Sequence, residues 1–278
     1  MELNWLQSLI LGLFSGFADI LPVSAQAHKA ILLKLFGESG EHPVLRLMIH
    51  LATLAALYLG CQGQIRRIRR QMKLARIPKH RRKRPLDTAA LMDVRLLKTT
   101  LIPIVIGLLV YLLTSSLNMK LSWIAVFLIV NGVILYLPAI FPTANKDARS
   151  LSPAEGLLMG LGAGASVLPG ISSVGASYSL AVLCGAQRNY AINMSLLMHM
   201  LVTVGMIILD LIAVFTTVGL AISFGAVLCY ILAALAAFAA SFVAVRLVRT
   251  FAEYVGFERF SLYCWGVAFL SFILFLLV

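Results

Sequence analysis

The sequence predicts an all-α polytopic membrane protein with about six transmembrane helices and two re-entrant helical hairpins in an inverted repeat. Three observations indicate this fold class. Hydrophobic residues make up 61% of the 278 residues, charged residues make up 12%, and the mean hydropathy is +0.96. Six long apolar runs follow one another along the chain, and two further apolar segments are interrupted by proline and glycine. So few charges exclude a soluble enzyme, a disordered chain and a secreted disulfide scaffold.

Six segments are long enough to cross a bilayer, which requires about 20 apolar residues in a helix. They are Val44–Gly60, Leu96–Ser115, Leu121–Ile140, Ala191–Phe215, Val218–Val245 and Phe260–Val278. We expect one membrane domain over residues 1–278, with a first repeat at about 1–140 and a second at about 154–278.

The positive charge of the chain is concentrated in one place. Of the 23 Lys and Arg residues behind the net charge of +12, eleven lie between Arg66 and Arg84, with no acid among them. A basic run between two apolar spans is typical of a cytoplasmic loop, so residues 62–97 are predicted to form one exposed cytoplasmic loop near anionic head groups. No folded basic domain surrounds the run, so we expect no nucleic-acid partner. A shorter charged loop is predicted at Phe141–Pro153.

The segments Leu9–Phe36 and Ala154–Gly185 do not fit uninterrupted spanning helices. Each contains the pattern Gly-Leu-x-x-Gly followed by Leu-Pro and a Ser, starting at Gly12 and again, 148 residues later, at Gly160. Broken helices at membrane depth occur where they are buried in protein or line a wet cavity. We therefore predict two re-entrant hairpins whose tips, at Pro22 and Pro169, lie close together near the bilayer midplane.

The second hairpin has the composition of an anion site. Helix N-termini present unpaired N–H groups that bind phosphate, and glycine lets the backbone approach a ligand closely. The candidate phosphate-binding residues are Gly170, Ser172, Ser173 and Ser177. A glycine- and serine-rich face for helix packing is the alternative interpretation.

The first hairpin adds ionisable groups inside an apolar frame, where charged side chains are usually functional or paired. Asp19 and His28 are predicted to form a base or nucleophile couple, and a structural Asp19–Lys29 pair is the alternative. Three more polar residues lie within predicted spans, and for each we favour a hydrogen bond between helices. They are His50, His199 and Asp210.

Six short motifs occur in order along the chain. They read Leu21-Pro22-Val23-Ser24 with His28, Ile49-His50-Leu51-Ala52-Thr53, Leu101-Ile102-Pro103 with Gly107, Pro169-Gly170-Ile171-Ser172, Ser195-Leu196-Leu197 after Arg188, and Phe260-Ser261-Leu262-Tyr263. In these motifs the chain resembles the BacA-type undecaprenyl-diphosphate phosphatases, integral membrane enzymes that remove one phosphate from the polyprenyl diphosphate carrier of cell-wall synthesis. The resemblance covers nearly the whole chain. It implies six membrane helices, two re-entrant hairpins, a role in recycling the lipid carrier of peptidoglycan synthesis, and bacitracin resistance.

The chain departs from the family pattern at several site positions. The family's two acids fall on Ser15 and Asp19, its second motif serine falls on Ala25, and its Arg-Ser pair falls on Ser173 and Val174. Phosphoryl transfer develops negative charge that a cation normally neutralises, and losing an arginine finger costs about 10³–10⁵ in rate in well-studied systems. We therefore expect hydrolysis to be weakened.

Two functions of different classes follow from the resemblance. In the first, the protein is a polyprenyl diphosphatase in which Asp19 activates water or binds Mg²⁺ or Ca²⁺, His28 is the base or nucleophile, and Ser24 joins the residues of the second hairpin around phosphate. One carboxylate is a sparse ligand set for such a cation. In the second, a non-hydrolytic binder or translocator takes a polyprenyl phosphate on the same scaffold. A transporter of small solutes is a weaker third interpretation. The expected partners are this lipid and the bacterial plasma membrane, and a homodimer is left open.

Overall fold

The computed structural model describes residues 3–38, 42–82, 84–114, 120–141, 145–216 and 223–277. These residues form ten α-helices. They are α1 (Trp5–Ile20), α2 (Ala25–Leu35), α3 (Pro43–Ala75), α4 (Thr88–Thr114), α5 (Leu121–Ile140), α6 (Pro153–Gly164), α7 (Ser173–Leu183), α8 (Arg188–Thr216), α9 (Phe224–Thr250) and α10 (Glu258–Leu277). Some residues of the predicted segments lie outside the described residues: Lys83, Ser115, residues 218–222, Val278, and residues 142–144 of the predicted loop Phe141–Pro153.

Six helices are long and apolar enough to cross a membrane by length and composition, namely α3, α4, α5, α8, α9 and α10. This confirms the all-α polytopic membrane fold and the six predicted spans. The remaining helices pair into two hairpins, α1 with α2 and α6 with α7, at the two interrupted segments.

The predicted exposed loop over residues 62–97 is wrong in extent. Helix α3 continues about four turns beyond Gly60 to Ala75, and α4 already begins at Thr88, so the connection covers only residues 76–87. Arg, Lys, Gln and Met are good helix formers, and the chain contains no proline between Gly60 and Pro78. Arg67 Nε donates a hydrogen bond to Asp87 Oδ2 at 2.7 Å, which ties the two helices together and lowers the pKa of Asp87.

The hairpins repeat at the level of single residues. Helix α1 begins with a capping box between Asn4 and Gln7, and α6 begins with one between Ser152 and Glu155. The second capping box follows the first by 148 positions, and the first residue of α7 follows that of α2 by the same number. A proline-containing segment, Leu21-Pro22 or Leu168-Pro169, follows the first helix of each hairpin and turns the chain back.

Helix packing follows the same repeat. Helix α1 packs against α9, and α6 packs against α4; exchanging α1–α5 for α6–α10 converts one pair into the other. Helices α3 and α8 pack together, as do α5 and α10. Three long helices, α3, α4 and α5, separate the hairpins in sequence. Because an odd number of spanning helices ends on the other side of a membrane, the second hairpin starts from the side opposite to the first. This is the predicted inverted repeat.

The tips of the two hairpins meet. The Gly170 N–H donates to Ser24 Oγ at 3.0 Å, and Ser172 Oγ donates to the Leu21 carbonyl at 3.2 Å. Asn131 of α5 bridges both tips, because its Nδ2 donates to the Pro22 carbonyl at 3.1 Å while its Oδ1 accepts from the Ser172 N–H at 2.9 Å. The predicted proximity of the two proline turns is therefore found, whereas their depth in a bilayer stays a prediction.

Candidate active site

Two connected cavities lie beside the joined hairpin tips. The outer cavity has a volume of about 270 Å³ and is lined by residues of both hairpins together with α3, α4, α5 and α8. The smaller inner chamber, of about 50 Å³, lies between the hairpins, α3 and α8. Asp19, Gln26 and His50 are in the walls of both. The cavity therefore belongs to both repeats.

Several buried polar atoms face these cavities without a hydrogen-bond partner among the described residues. They are Ser15 Oγ, Asp19 Oδ2, Ser173 Oγ and both ring nitrogens of His199. Buried polar groups in proteins are nearly always hydrogen-bonded, so a cluster of exceptions around one cavity indicates a place for a polar ligand or water. Among the sequence-predicted site residues, Asp19 and Ser173 are in this cluster.

The predicted couple of Asp19 and His28 is not formed. Asp19 faces His199 instead, with 3.4 Å between Oδ2 and Nε2. His28 lies on the other side of the hairpin, where Nδ1 donates to the Ser24 carbonyl at 2.8 Å and Nε2 lies 2.7 Å from the Tyr263 hydroxyl. Its side chain lines a separate apolar groove with residues of α1 and α10. Both nitrogens of His28 are thus occupied by protein groups.

Two predicted phosphate-binding residues lie outside the walls of both cavities. The Gly170 N–H is used by Ser24, and a Cβ at Gly170 would lie 2.5 Å from that of Phe127, so this glycine serves close packing against α5. Ser177 is fully buried within α7 and donates to the Ser173 carbonyl at 2.6 Å. The contact between the tips and the helix itself take the hydrogen bonds of these two groups, and their contact with phosphate stays a prediction.

Ser24 and Ser172 line the inner chamber, but both oxygens already hold the hairpin tips together. Ser172 Oγ also caps α7, accepting from the Gly175 N–H at 3.2 Å. Of the positions that depart from the family pattern, Ala25 lines both cavities, whereas Val174 is fully buried in the apolar core. The phosphate-binding role of the two serines stays a prediction.

Sequence reasoning missed Arg46, a cation in the wall of the outer cavity next to Lys29. Arg46 Nε donates to Asp210 Oδ1 and His50 Nδ1 lies against Asp210 Oδ2, both at 2.5 Å, and Asp210 is fully buried. The predicted hydrogen bond between helices is therefore confirmed for His50 and Asp210. The spacing of Arg46 and His50, four residues apart on one helix face, was the available signal.

The residues present offer a sparse ligand set for the Mg²⁺ or Ca²⁺ that the resemblance implies, and such an ion stays a prediction. Ca²⁺ takes six to eight oxygen ligands, and Mg²⁺ takes six, usually one or two carboxylates together with waters and substrate phosphates. Asp19 is the carboxylate in the cavity walls and has His199 beside it, while Asp210 is held by Arg46 and His50. Within the described residues, no group of three or more His, Cys, Asp or Glu side chains is placed to hold a metal.

The fold and cavity define a class: a polytopic membrane protein whose two inverted hairpins enclose a polar chamber. The chain matches the family described as bacitracin resistance protein BacA over residues 8–270, and it belongs to that family. It is 29% identical over 209 residues to the undecaprenyl-diphosphatase of Carboxydothermus hydrogenoformans, covering 75% of this chain and 74% of the relative. The undecaprenyl-diphosphatase of Methanobrevibacter smithii is 25% identical over 96% of both chains. Undecaprenyl-diphosphatase 3 of Frankia alni is 32% identical over 71% of this chain and 70% of its own.

Proposed function

We propose that this protein hydrolyses undecaprenyl diphosphate, or a closely similar polyprenyl diphosphate, at a low rate in the bacterial plasma membrane. One water adds across the P–O–P bond, giving polyprenyl monophosphate and inorganic phosphate. The observation that carries the proposal is the polar chamber at the joined hairpin tips, in a chain that belongs to the BacA family. The reaction would serve recycling of the lipid carrier of peptidoglycan.

Within this proposal, Asp19 accepts the proton of the attacking water. Its Oδ2 is buried, lies 3.4 Å from His199 Nε2, and belongs to a side chain that lines both cavities. Ser173 and Ser24 line the inner chamber, where the terminal phosphate would sit. The outer cavity opens beside Lys29 and Arg46, which favours an anion there and leaves room for the start of the lipid chain.

Phosphate release from undecaprenyl diphosphate by the purified protein in detergent tests the proposal. We expect slow release, reduced about 10²-fold or more by Asp19→Asn, because the amide cannot accept a proton. Asp147→Asn, in an exposed turn, is the matched control and should leave the rate unchanged. Equal rates for wild type and Asp19→Asn would remove Asp19 from the mechanism.

A non-hydrolytic binder or translocator of polyprenyl phosphate is the second candidate. Two observations favour it: Ser173 stands where the family has an arginine, and His28 points away from the chamber. Its signature would be retention of the lipid by the purified protein with no phosphate release above the rate without enzyme.

A further inference from the structure

His199 differs from the other buried or half-buried histidines. His28 contacts Ser24 and Tyr263, His42 Nδ1 lies 3.3 Å from the Tyr230 hydroxyl, and His50 contacts Asp210. Among the described residues, Nδ1 of His199 has no hydrogen-bond partner and Nε2 faces only Asp19 Oδ2, at 3.4 Å, although the side chain is only about 5% exposed. A structural histidine in an apolar helix would satisfy at least one nitrogen. This indicates that a ligand would complete the hydrogen bonding of the His199 ring.

The residues around His199 indicate where that ligand would lie. His199 lines the inner chamber together with Ser173, whose hydroxyl oxygen is also buried and without a partner among the described residues. Position 173 is where the family motif carries its arginine. The chamber therefore has an imidazole from α8 beside the position from which the usual cation is missing.

The charges around this chamber suit an anion. Asp19 Oδ2 lies 3.4 Å from His199 Nε2 in the wall of the chamber, and an imidazole N–H can donate a hydrogen bond to a phosphoryl oxygen. Asp210 is neutralised by Arg46 and His50, and Lys29 lines the adjoining outer cavity. Hydrogen bonds from charged donors to phosphate are stronger than neutral ones, and they strengthen further in a site with little water.

We propose that His199 binds the phosphoryl oxygens of a diphosphate head group in the inner chamber, with Ser173 as its hydrogen-bonding neighbour, and so replaces the cation missing at position 173. The ligand class is a phosphate or diphosphate ester, which rests on the proposed function for its lipid but not on hydrolysis. His199 is then a binding residue of the site. Sequence motifs did not indicate it.

The test measures the affinity of the purified protein for farnesyl methylenediphosphonate, a non-hydrolysable polyprenyl diphosphate analogue, in detergent. We expect His199→Gln to weaken binding about tenfold or more, because the amide keeps the approximate size of the ring but does not place an N–H donor where the ring nitrogen lies. His199→Arg should retain most of the affinity. His42→Gln, which changes a histidine outside both cavities, should bind as the wild type does.

Adding Ser173→Arg to His199→Gln should restore binding, because the cation returns at the family position. Should His199→Gln fail to fold, the wild-type protein still provides the measurement. Modification of His199 by diethyl pyrocarbonate, read by mass spectrometry, should fall when the analogue is bound, while exposed His80 serves as the internal reference.

Two outcomes would overturn the inference: His199→Gln binding the analogue as tightly as wild type, or unchanged modification of His199 with the analogue bound. Absence of binding by the folded wild-type protein would overturn it as well. Binding that depends on His199 without any phosphate release from undecaprenyl diphosphate would support the inference while refuting the proposed hydrolysis.

Discussion

Asp210 shows how one buried carboxylate organises the outer cavity. It is fully buried in α8, and its two oxygens contact Arg46 and His50 of α3. A buried ion pair contributes little net stability, but removing one partner leaves a buried charge uncompensated. The side chains that line the cavity on α3 therefore depend on a residue 160 positions away.

We expect Asp210→Asn to lower the free energy of unfolding by about 1–3 kcal/mol, because the neutral amide weakens the charge-assisted contacts with Arg46 and His50. Thermal unfolding of the purified protein in detergent measures this. Glu253→Gln, which removes an exposed carboxylate, is the control and should change stability by less than about 0.5 kcal/mol. Equal melting temperatures for the two variants would contradict the role given to Asp210.

Restoring the family's charges should raise activity. Ser15 and Ser173 both have buried oxygens at the cavities, so we expect Ser15→Glu combined with Ser173→Arg to increase phosphate release. The two charges act on one transition state, so each single change should lower the activation free energy by less than half as much as the pair does. Adding Val174→Ser should give no further gain, because Val174 is buried away from both cavities.

Phosphate release and melting temperature must be measured together for these variants, since an arginine without an anion is costly to bury. A folded double variant with no gain in rate would favour the binder or translocator.

At the level of helices, the hairpins are held by contacts that only small residues permit. A Cβ added to Gly12 of α1 would lie 2.2 Å from the Ala233 carbonyl oxygen of α9, and one at Gly16 would lie 2.4 Å from that of Ala237. On the other repeat, a Cβ at Gly164 of α6 would lie 2.5 Å from the Pro103 carbonyl oxygen of α4. Small residues let membrane helices approach backbone to backbone.

We predict that Gly12→Ala destabilises the protein by about 1–3 kcal/mol, because the added methyl forces α1 away from α9. Gly63→Ala is the matched control, since a Cβ there meets no atom within 4 Å and alanine favours helix formation. Detergent unfolding curves of the two variants should therefore shift in opposite directions. A Gly12→Ala protein as stable as wild type would show that this packing is looser than the structure indicates.

At the scale of the whole molecule, the order of helices sets which segments share a side of the membrane. The last turns of α3, the start of α4 and the turn before α6 come together, where Arg67, Asp93 and Asp147 line one polar cavity. Lys120, at the start of α5, is separated from that side of the membrane by one spanning helix, α4. We propose that the first side is cytoplasmic, because the basic run lies there.

Cysteine labelling with a membrane-impermeant reagent tests this topology in a cysteine-free background. Lys79→Cys and Arg149→Cys should react only after the cells are permeabilised, whereas Lys120→Cys should react in intact cells. The reverse pattern would invert the orientation but keep the fold. Reaction of Lys79→Cys and Arg149→Cys on opposite sides would contradict the inverted repeat itself.

The sequence by itself determined the membrane class, the six spans and both hairpins. These features depend on local properties: the length of an apolar run decides whether a helix crosses a bilayer, and the Leu21-Pro22 and Leu168-Pro169 breaks decide where a helix turns back. The basic extension of α3 was missed because charge marks exposure to solvent but does not separate an exposed helix from a loop.

Only the tertiary structure decided which side chains meet in the chamber. Asp19 and His28 are nine positions apart on different helices of the first hairpin, and its turn sends them to different cavities. The actual neighbour of Asp19 is His199, 180 positions away on α8. Arg46 of α3 lines the outer cavity and is paired with Asp210, which also lies on α8. Packing of helices from different repeats creates these contacts. Residue spacing along the chain does not predict them, because the two partners of each contact belong to different helices.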